Sequence, residues 1–323
     1  MPENLEQEHK STEQKIEEKV EEKKERKKLK EHFKNADSLY NKYYLILLII
    51  PVILLALTLM YLTYFSFQNG DIIKKDITLT GGTSIQVHTN TDITKLRTAL
   101  EDKFEDISVR EVSDIITGEQ VAFIIETASS PEEVKPFLEE YLGIKLTNDN
   151  SSIEFTGSAL SGSFYNQLRI AILIAFILMA LAVFLIFRTF APSVAVVFAA
   201  FSDIVMTIAV VDLLGIKMST AGIVAILMLI GYSVDTDILL TTRVIKRHEG
   251  SVNSRVWSSF KTGITMTLAA LSIVIIGLIF TSSFSSIFNQ IFTVLTIGLL
   301  FDILNTWAFN ASFIKWYVER RNK

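Results

Sequence analysis

Cysteine is absent from the 323 residues, and histidine occurs only four times, at His9, His32, His88 and His248. Without cysteine there are no disulfides, no thiolate nucleophile and no cysteine metal site. No histidine falls within an apolar run, which excludes an imidazole zinc site or proton relay inside a membrane. A phosphate loop is missing too: Gly81-Gly82-Thr83 is not followed by Lys-Ser/Thr and does not open a helix. No catalytic triad, metal cluster or cofactor motif appears, so neither an enzyme nor a cofactor or metal is expected. The charged N-terminal stretch is too long for a secretory leader, and no small-residue cleavage pattern follows the first apolar run.

What is present is segregated. Half of the residues are apolar while a fifth are charged, and the two kinds occupy different parts of the chain. Residues 1–42 alternate Glu and Lys and read as a solvated, charged cytoplasmic tail. A sharper reading of Lys23–Lys34 is contact with anionic lipid or ribosomal RNA, although no nucleic-acid partner is expected. The net charge of −4 averages over opposites and identifies no partner.

Apolar runs of membrane-spanning length occupy 43–65, 167–187, 192–215, 219–242, 262–281 and 286–314. The division of the chain is therefore a tail at 1–42, a first span at 43–65, a domain at 66–164, a five-helix bundle at 165–314 and a tail at 315–323. Basic residues before the first span, at Arg188, in the 243–261 loop and in the last nine residues put both termini in the cytoplasm. Residues 66–164 are then outside the cell membrane. Asp76–Thr89 reads as a strand broken by Gly81-Gly82. Asp92 caps a helix with Leu96, Leu100 and Phe104 on one face, and 108–116 and 120–127 read as strands. Pro131 starts a second helix that Gly143 ends, and 152–156 is a last strand. The order βαββαβ predicts a ferredoxin-like α+β domain beside a polytopic helical membrane bundle.

Chemistry in such a chain is sought among charges that should not be in lipid. A carboxylate there costs about 2.5 kcal/mol or more. Asp203, Asp212, Asp235, Asp237 and Asp302 all fall within apolar runs. Asp212, near an end, reads as structural. Asp203, Asp235, Asp237 and Asp302 are the proton-handling candidates, with Arg243, Arg255 and Lys261 as possible basic partners. Asp235 and Asp237 lie about 160° apart on a helical wheel and cannot share a site. Asp302 shares a face with Asn305 and Thr306. Thr262, Thr265 and Ser272 form a polar stripe on the fifth span, and Gly231 allows a close helix approach.

These pieces resemble the SecD/SecF family of protein-export membrane proteins, related to the resistance-nodulation-division transporters. The resemblance covers about residues 40–320. It rests on Ile77–Thr83, similar to the family's Asp-Phe-Thr-Gly-Gly-Thr element with Gly81, Gly82 and Thr83, and on Gly231-Tyr232-Ser233. The lead-in from Gly157 to the second span is weaker, with Ser158 where a proline is frequent. Asp203 matches an acidic residue that bacterial members precede with His, where Ser202 stands here. After Gly-Tyr-Ser, the bacterial SecF acidic column falls on Thr236, while Asp235 matches the SecD column, a pattern closer to archaeal SecF.

The resemblance implies a complex with SecD, associated with the SecYE channel and contacting secreted polypeptide. It also implies use of the proton-motive force to move the outer domains. Two other functions fit the residues: a scaffold or substrate-holding module whose acids only pack helices, and an efflux half-pump. The single domain of roughly a hundred residues argues against the last. Of the two acids on the fourth span, Asp235 is expected to meet the partner.

Overall fold

The structure, a computed structural model, describes residues 40–321 apart from 105–106, 115–116, 248 and 282–284. The Glu/Lys-rich tail before Tyr40, Lys23–Lys34 included, lies outside the described residues. Among the described residues, six helices are long and apolar enough to cross a membrane. These are α1 (Tyr40–Asn69), α5 (Ser158–Phe187), α6 (Phe190–Leu213), α7 (Thr220–Lys246), α8 (Val252–Thr281) and a sixth running from Ser286 to Arg321. The sixth is not one regular helix. It consists of α9 (Ser286–Leu304), a π-helical turn over Asn305–Asn310 and α10 (Ala311–Arg321).

Between α1 and α5 sits the α+β domain. Its sheet runs β2 (Ser108–Ser113), β3 (Gln120–Thr127), β1 (Gly82–Val87), β4 (Ser151–Thr156), with every pair antiparallel. Two helices, α3 (Ile93–Glu101) and α4 (Pro131–Leu142), cover one face. Leu96, Leu100, Val134 and Leu138 close over Ile85, Val109, Phe123 and Ile125. The local signals act as expected: Asp92 accepts from the Thr94 and Lys95 amides, and Gly143 takes φ +67° to end α4. The ferredoxin-like order thus follows from two crossover helices and one hairpin.

The expected strand over Asp76–Thr89 needs correction. Ile77–Thr80 is one turn of helix, α2, and only Gly82–Val87 is strand. Asp76 caps the Ile77 amide, and the Asp76 carbonyl accepts from the Leu79 and Thr80 amides at 2.9 and 3.1 Å. The alternation of Asp-Ile-Thr-Leu-Thr imitates a strand. An aspartate at N-cap and a glycine at the far end outweigh it. Leu79 thereby turns away from the sheet and joins the core of the helical bundle.

The domain rests on one end of the bundle, called here the domain end. Lys74 and Asp76 pair with Met218 in the α6–α7 loop: the Met218 amide donates to the Lys74 carbonyl at 2.6 Å, and the Asp76 amide to the Met218 carbonyl at 2.9 Å. The Thr220 amide, at the start of α7, donates to Thr78 Oγ1 at 3.1 Å. Gly81 crosses the start of α5 so closely that a Cβ would lie 2.4 Å from Ser158 Cα, and one on Gly82 would lie 2.4 Å from the Thr127 carbonyl oxygen. That close approach is the reason for two glycines in succession.

Candidate functional site

Three of the span carboxylates meet in the middle of the bundle. Asp203 comes from α6, Asp237 from α7 and Asp302 from α9, and none is more than 1 % exposed. Asp203 accepts from Ser233 Oγ at 2.5 Å and from Asn305 Nδ2 at 2.6 Å. Asp237 accepts from Thr306 Oγ1 at 2.9 Å and from Asn310 Nδ2 at 2.7 Å. Asp302 lies 3.1 Å from the same Thr306 hydroxyl and 3.3 Å from Thr236 Oγ1. Ser233 of the Gly-Tyr-Ser element therefore serves Asp203, and the three acids are linked through neutral side chains.

The π turn makes this possible. Its wider ring, closed by the Ala311 amide on the Thr306 carbonyl, sets Asn305 toward α6 while Thr306 and Asn310 reach α7. Such turns inside α-helices occur frequently at functional sites. Asn305 and Thr306 were recognisable as companions of Asp302. Asn310 was not singled out, although an amide within an apolar run is itself a signal.

A count of hydrogens restricts the site. Thr306 has one hydroxyl hydrogen and two carboxylate neighbours, while the nearest acceptor for Thr236 is the Ser233 carbonyl at 2.9 Å. Both Thr306 contacts become hydrogen bonds together only when Asp237 or Asp302 brings a proton and donates to the Thr306 oxygen. Among the described residues, no ion pair involves any of the three acids. Asp237 Oδ2, Asn305 Oδ1, Asn310 Oδ1 and Thr241 Oγ1 are buried and accept no hydrogen bond. The cluster is therefore short of both donors and counter-charges.

The proposed basic partners have other work. Arg243 donates to the Ser258 carbonyl and to Thr262 Oγ1, and Arg255 to the carbonyls of Val244 and Arg247 at the end of α7. Lys261 lies over the Trp257 ring. Asp235 is exposed on the side of α7 away from the cluster, together with Gly231 and Tyr232. Among the described residues nothing lies within 4 Å of a Cβ position at Gly231, so the close approach expected there is not made within them; close helix contacts fall at Gly263 on Trp307, Gly277 on Phe292 and Gly298 on Leu229. The Thr262–Thr265–Ser272 stripe does not line the cluster, since Thr265 and Ser272 are exposed and bond back to their own helix. Lys315, only 1 % exposed, is a further charge not foreseen; it donates to Asn41 on α1, Asn253 on α8 and Glu319.

Comparison with known proteins agrees with this architecture. A family model described as "Protein export membrane protein SecD/SecF, C-terminal" matches residues 139–320. The chain belongs to the SecD/SecF family. Relatives named "Protein-export membrane protein SecF" include one from Methanolacinia petrolearia, 36 % identical across 85 % of this chain and 94 % of its own length. Another, from Methanocaldococcus jannaschii, is 37 % identical across 86 % of this chain and 96 % of its own. The crystal structure of SecDF, a translocon-associated membrane protein from Thermus thermophilus, superposes with a TM-score of 0.69 at 19 % identity. That match covers 87 % of this chain and 38 % of the other, so this SecD/SecF-family chain shares its fold with a part of SecDF.

Proposed function

We propose that this chain is a SecF-type subunit that works with SecD to assist protein translocation through the SecYE channel. In this reading, proton entry at Asp203, Asp237 and Asp302 drives movement of the α+β domain, which contacts the secreted polypeptide. The observation that carries it is the buried, donor-poor cluster of three acids on three helices, two of which lead directly to the domain. The end of the bundle away from the domain carries Arg243, Lys246, Arg247, Arg255, Arg320 and Arg321. That bias supports cytoplasmic termini and a domain (66–164) outside the membrane. The exposed face of α7, with Gly231, Tyr232 and Asp235 beside Val224 and Met228, supports contact with SecD there. A carboxylate facing lipid is costly unless another chain or water meets it, so Asp235 is assigned to the interface and Asp237 to the proton site.

The test is export into vesicles holding the chain, SecD and the channel, with and without an imposed proton gradient. Asp203→Asn and Asp302→Asn keep acceptors for Ser233, Asn305 and Thr306 but remove the titratable charge. Loss of gradient-stimulated export with intact co-purification of SecD supports the proposal. Gradient-stimulated export at the wild-type rate in both variants refutes it.

A further inference from the structure

At the end of the bundle away from the domain, a cavity of about 650 Å³ opens between α1, α8 and the last span. It shares no residue with the carboxylate cluster. Its volume lies within the range of small-molecule sites, about 300–1,000 Å³. The wall is aromatic: Trp257 and Phe260 stack with centroids 5.2 Å apart, and Phe260 meets Trp307 edge-on at 5.1 Å. Lys261 stands at its side with the ammonium 5.9 Å from the Trp257 ring centre, and Ser254 and Asn253 complete the polar part. Trp257 is 43 % exposed, so the aromatic wall continues to the outer surface of the bundle.

We propose that this cavity binds an anionic membrane phospholipid, its phosphate paired with Lys261 and its first hydrocarbon segment laid on Trp257, Phe260 and Trp307. The charge of the surroundings favours an anion: Lys42 and Arg247 are exposed at the same end. Basic pockets between spans at the cytoplasmic side recognise anionic head groups in this way. A free anion would use the lysine but gain nothing from three aromatic rings at the apolar end of the cavity. Lipid satisfies both halves, because indole and phenyl rings seat at the level where head group gives way to chain. The occupant also touches a working part. Trp307 directly follows Thr306, whose hydroxyl bonds Asp237 and Asp302, and its ring packs where a Gly263 Cβ would be, 2.4 Å away. A bound lipid therefore leans on the π turn.

The experiment is native mass spectrometry of the full-length purified chain, titrated in detergent with phosphatidylglycerol or phosphatidylcholine. Phosphatidylglycerol is expected to be retained preferentially. Lys261→Ala lowers that retention about fivefold, the usual contribution of one basic residue near an anionic surface, and Lys261→Arg restores it. Arg320→Ala, an exposed charge outside the cavity, leaves retention unchanged. Equal retention of the two lipids overturns the proposal, as does an equal loss in Lys261→Ala and Arg320→Ala, which means diffuse attraction. Displacement of phosphatidylglycerol by inorganic phosphate overturns it as well, because the site is then one for the free anion.

Discussion

Replacing Gly81 by alanine measures how firmly the domain is seated on α5. Gly81 has φ +88° and ψ 152°, a region that costs a residue with a Cβ about 1–3 kcal/mol. The new Cβ would lie 2.4 Å from Ser158 Cα and 2.5 Å from Ser158 N. Both are backbone atoms, so no rotamer change relieves the overlap, and moving them adds about 1–3 kcal/mol. The sum of about 2–6 kcal/mol is a large share of the roughly 5–15 kcal/mol that holds a domain folded. Gly118 is the control: its φ is +71°, yet nothing lies within 4 Å of its Cβ position. Alanine there meets the backbone term alone, about 1 kcal/mol. Amide hydrogen exchange in β1, β3 and β4 of the full-length chain reads the domain. The three tryptophans, Trp257, Trp307 and Trp316, all lie in the bundle and report it separately. The strands of Gly81→Ala should exchange at least roughly 30-fold faster, and those of Gly118→Ala about fivefold faster, with tryptophan emission unchanged. Equal acceleration in the two variants would refute the close crossing of Gly81 on α5.

Asp237→Leu leaves the buried Asn310 amide without its acceptor at 2.7 Å and should lower stability by about 1–3 kcal/mol. Asp237→Asn should keep thermal stability in detergent near wild type, so melting separates the acid's structural role from its proposed proton role. Lys315→Met removes the shared donor of Asn41, Asn253 and Glu319. It should cost about 3 kcal/mol and be seen as faster proteolysis of α1, the helix that this ammonium ties to α8 and α10. Burial, and next the charge of Glu126, push Asp76 up to about 6 from a model-peptide value of 3.8. A raised acid binds its proton more tightly when folded, so its contribution is complete below pH 3.8 and lost as pH rises through about 6. Protection of the Asp76–Met218 amides from exchange should therefore weaken between those pH values. Asp76→Asn should flatten the dependence.

The six spans, the βαββαβ order and the caps at Asp92 and Gly143 were all legible, because each rests on a local rule of composition or spacing. What escaped the sequence depended on distant partners. Ile77–Thr80 alternates like a strand, but Leu79 is drawn into the bundle core, which no local pattern announces. The carboxylates were identifiable as costly, yet a helical wheel separates Asp235 from Asp237 without saying which side faces inward. Only packing against α6 and α9 decides that. The π turn has no composition of its own; Asn305, Thr306 and Asn310 become a unit once a wider ring brings them toward one centre. Lys315 stands at the start of a basic, interfacial stretch, where a solvated lysine is the ordinary expectation, and its burial needs Asn41 and Asn253 from chain positions more than sixty residues away.

The joint and the cluster are connected by more than one element. Asp237 and Thr220 lie on the same uninterrupted helix, α7, 17 residues or about 25 Å apart. Asp203 and Asp212 lie on α6, nine residues or about 14 Å apart. Asp212 reads in sequence as a packing residue near a span end. In the structure its Oδ1 accepts from the Lys74 amide at 3.1 Å, beside the Lys74–Met218 pairing that seats the domain. Each helix therefore has one end of its polar set in the donor-poor cluster and the other at the domain. Helices do not compress, so a shift of α6 against α7 that relieves or creates charge at Asp203 and Asp237 must reappear at Asp212 and Thr220. There it acts on backbone hydrogen bonds of a single short segment, residues 74–78. If protons enter the cluster as proposed, relative sliding of two rods is sufficient to reach the domain, with no chain of small side-chain movements.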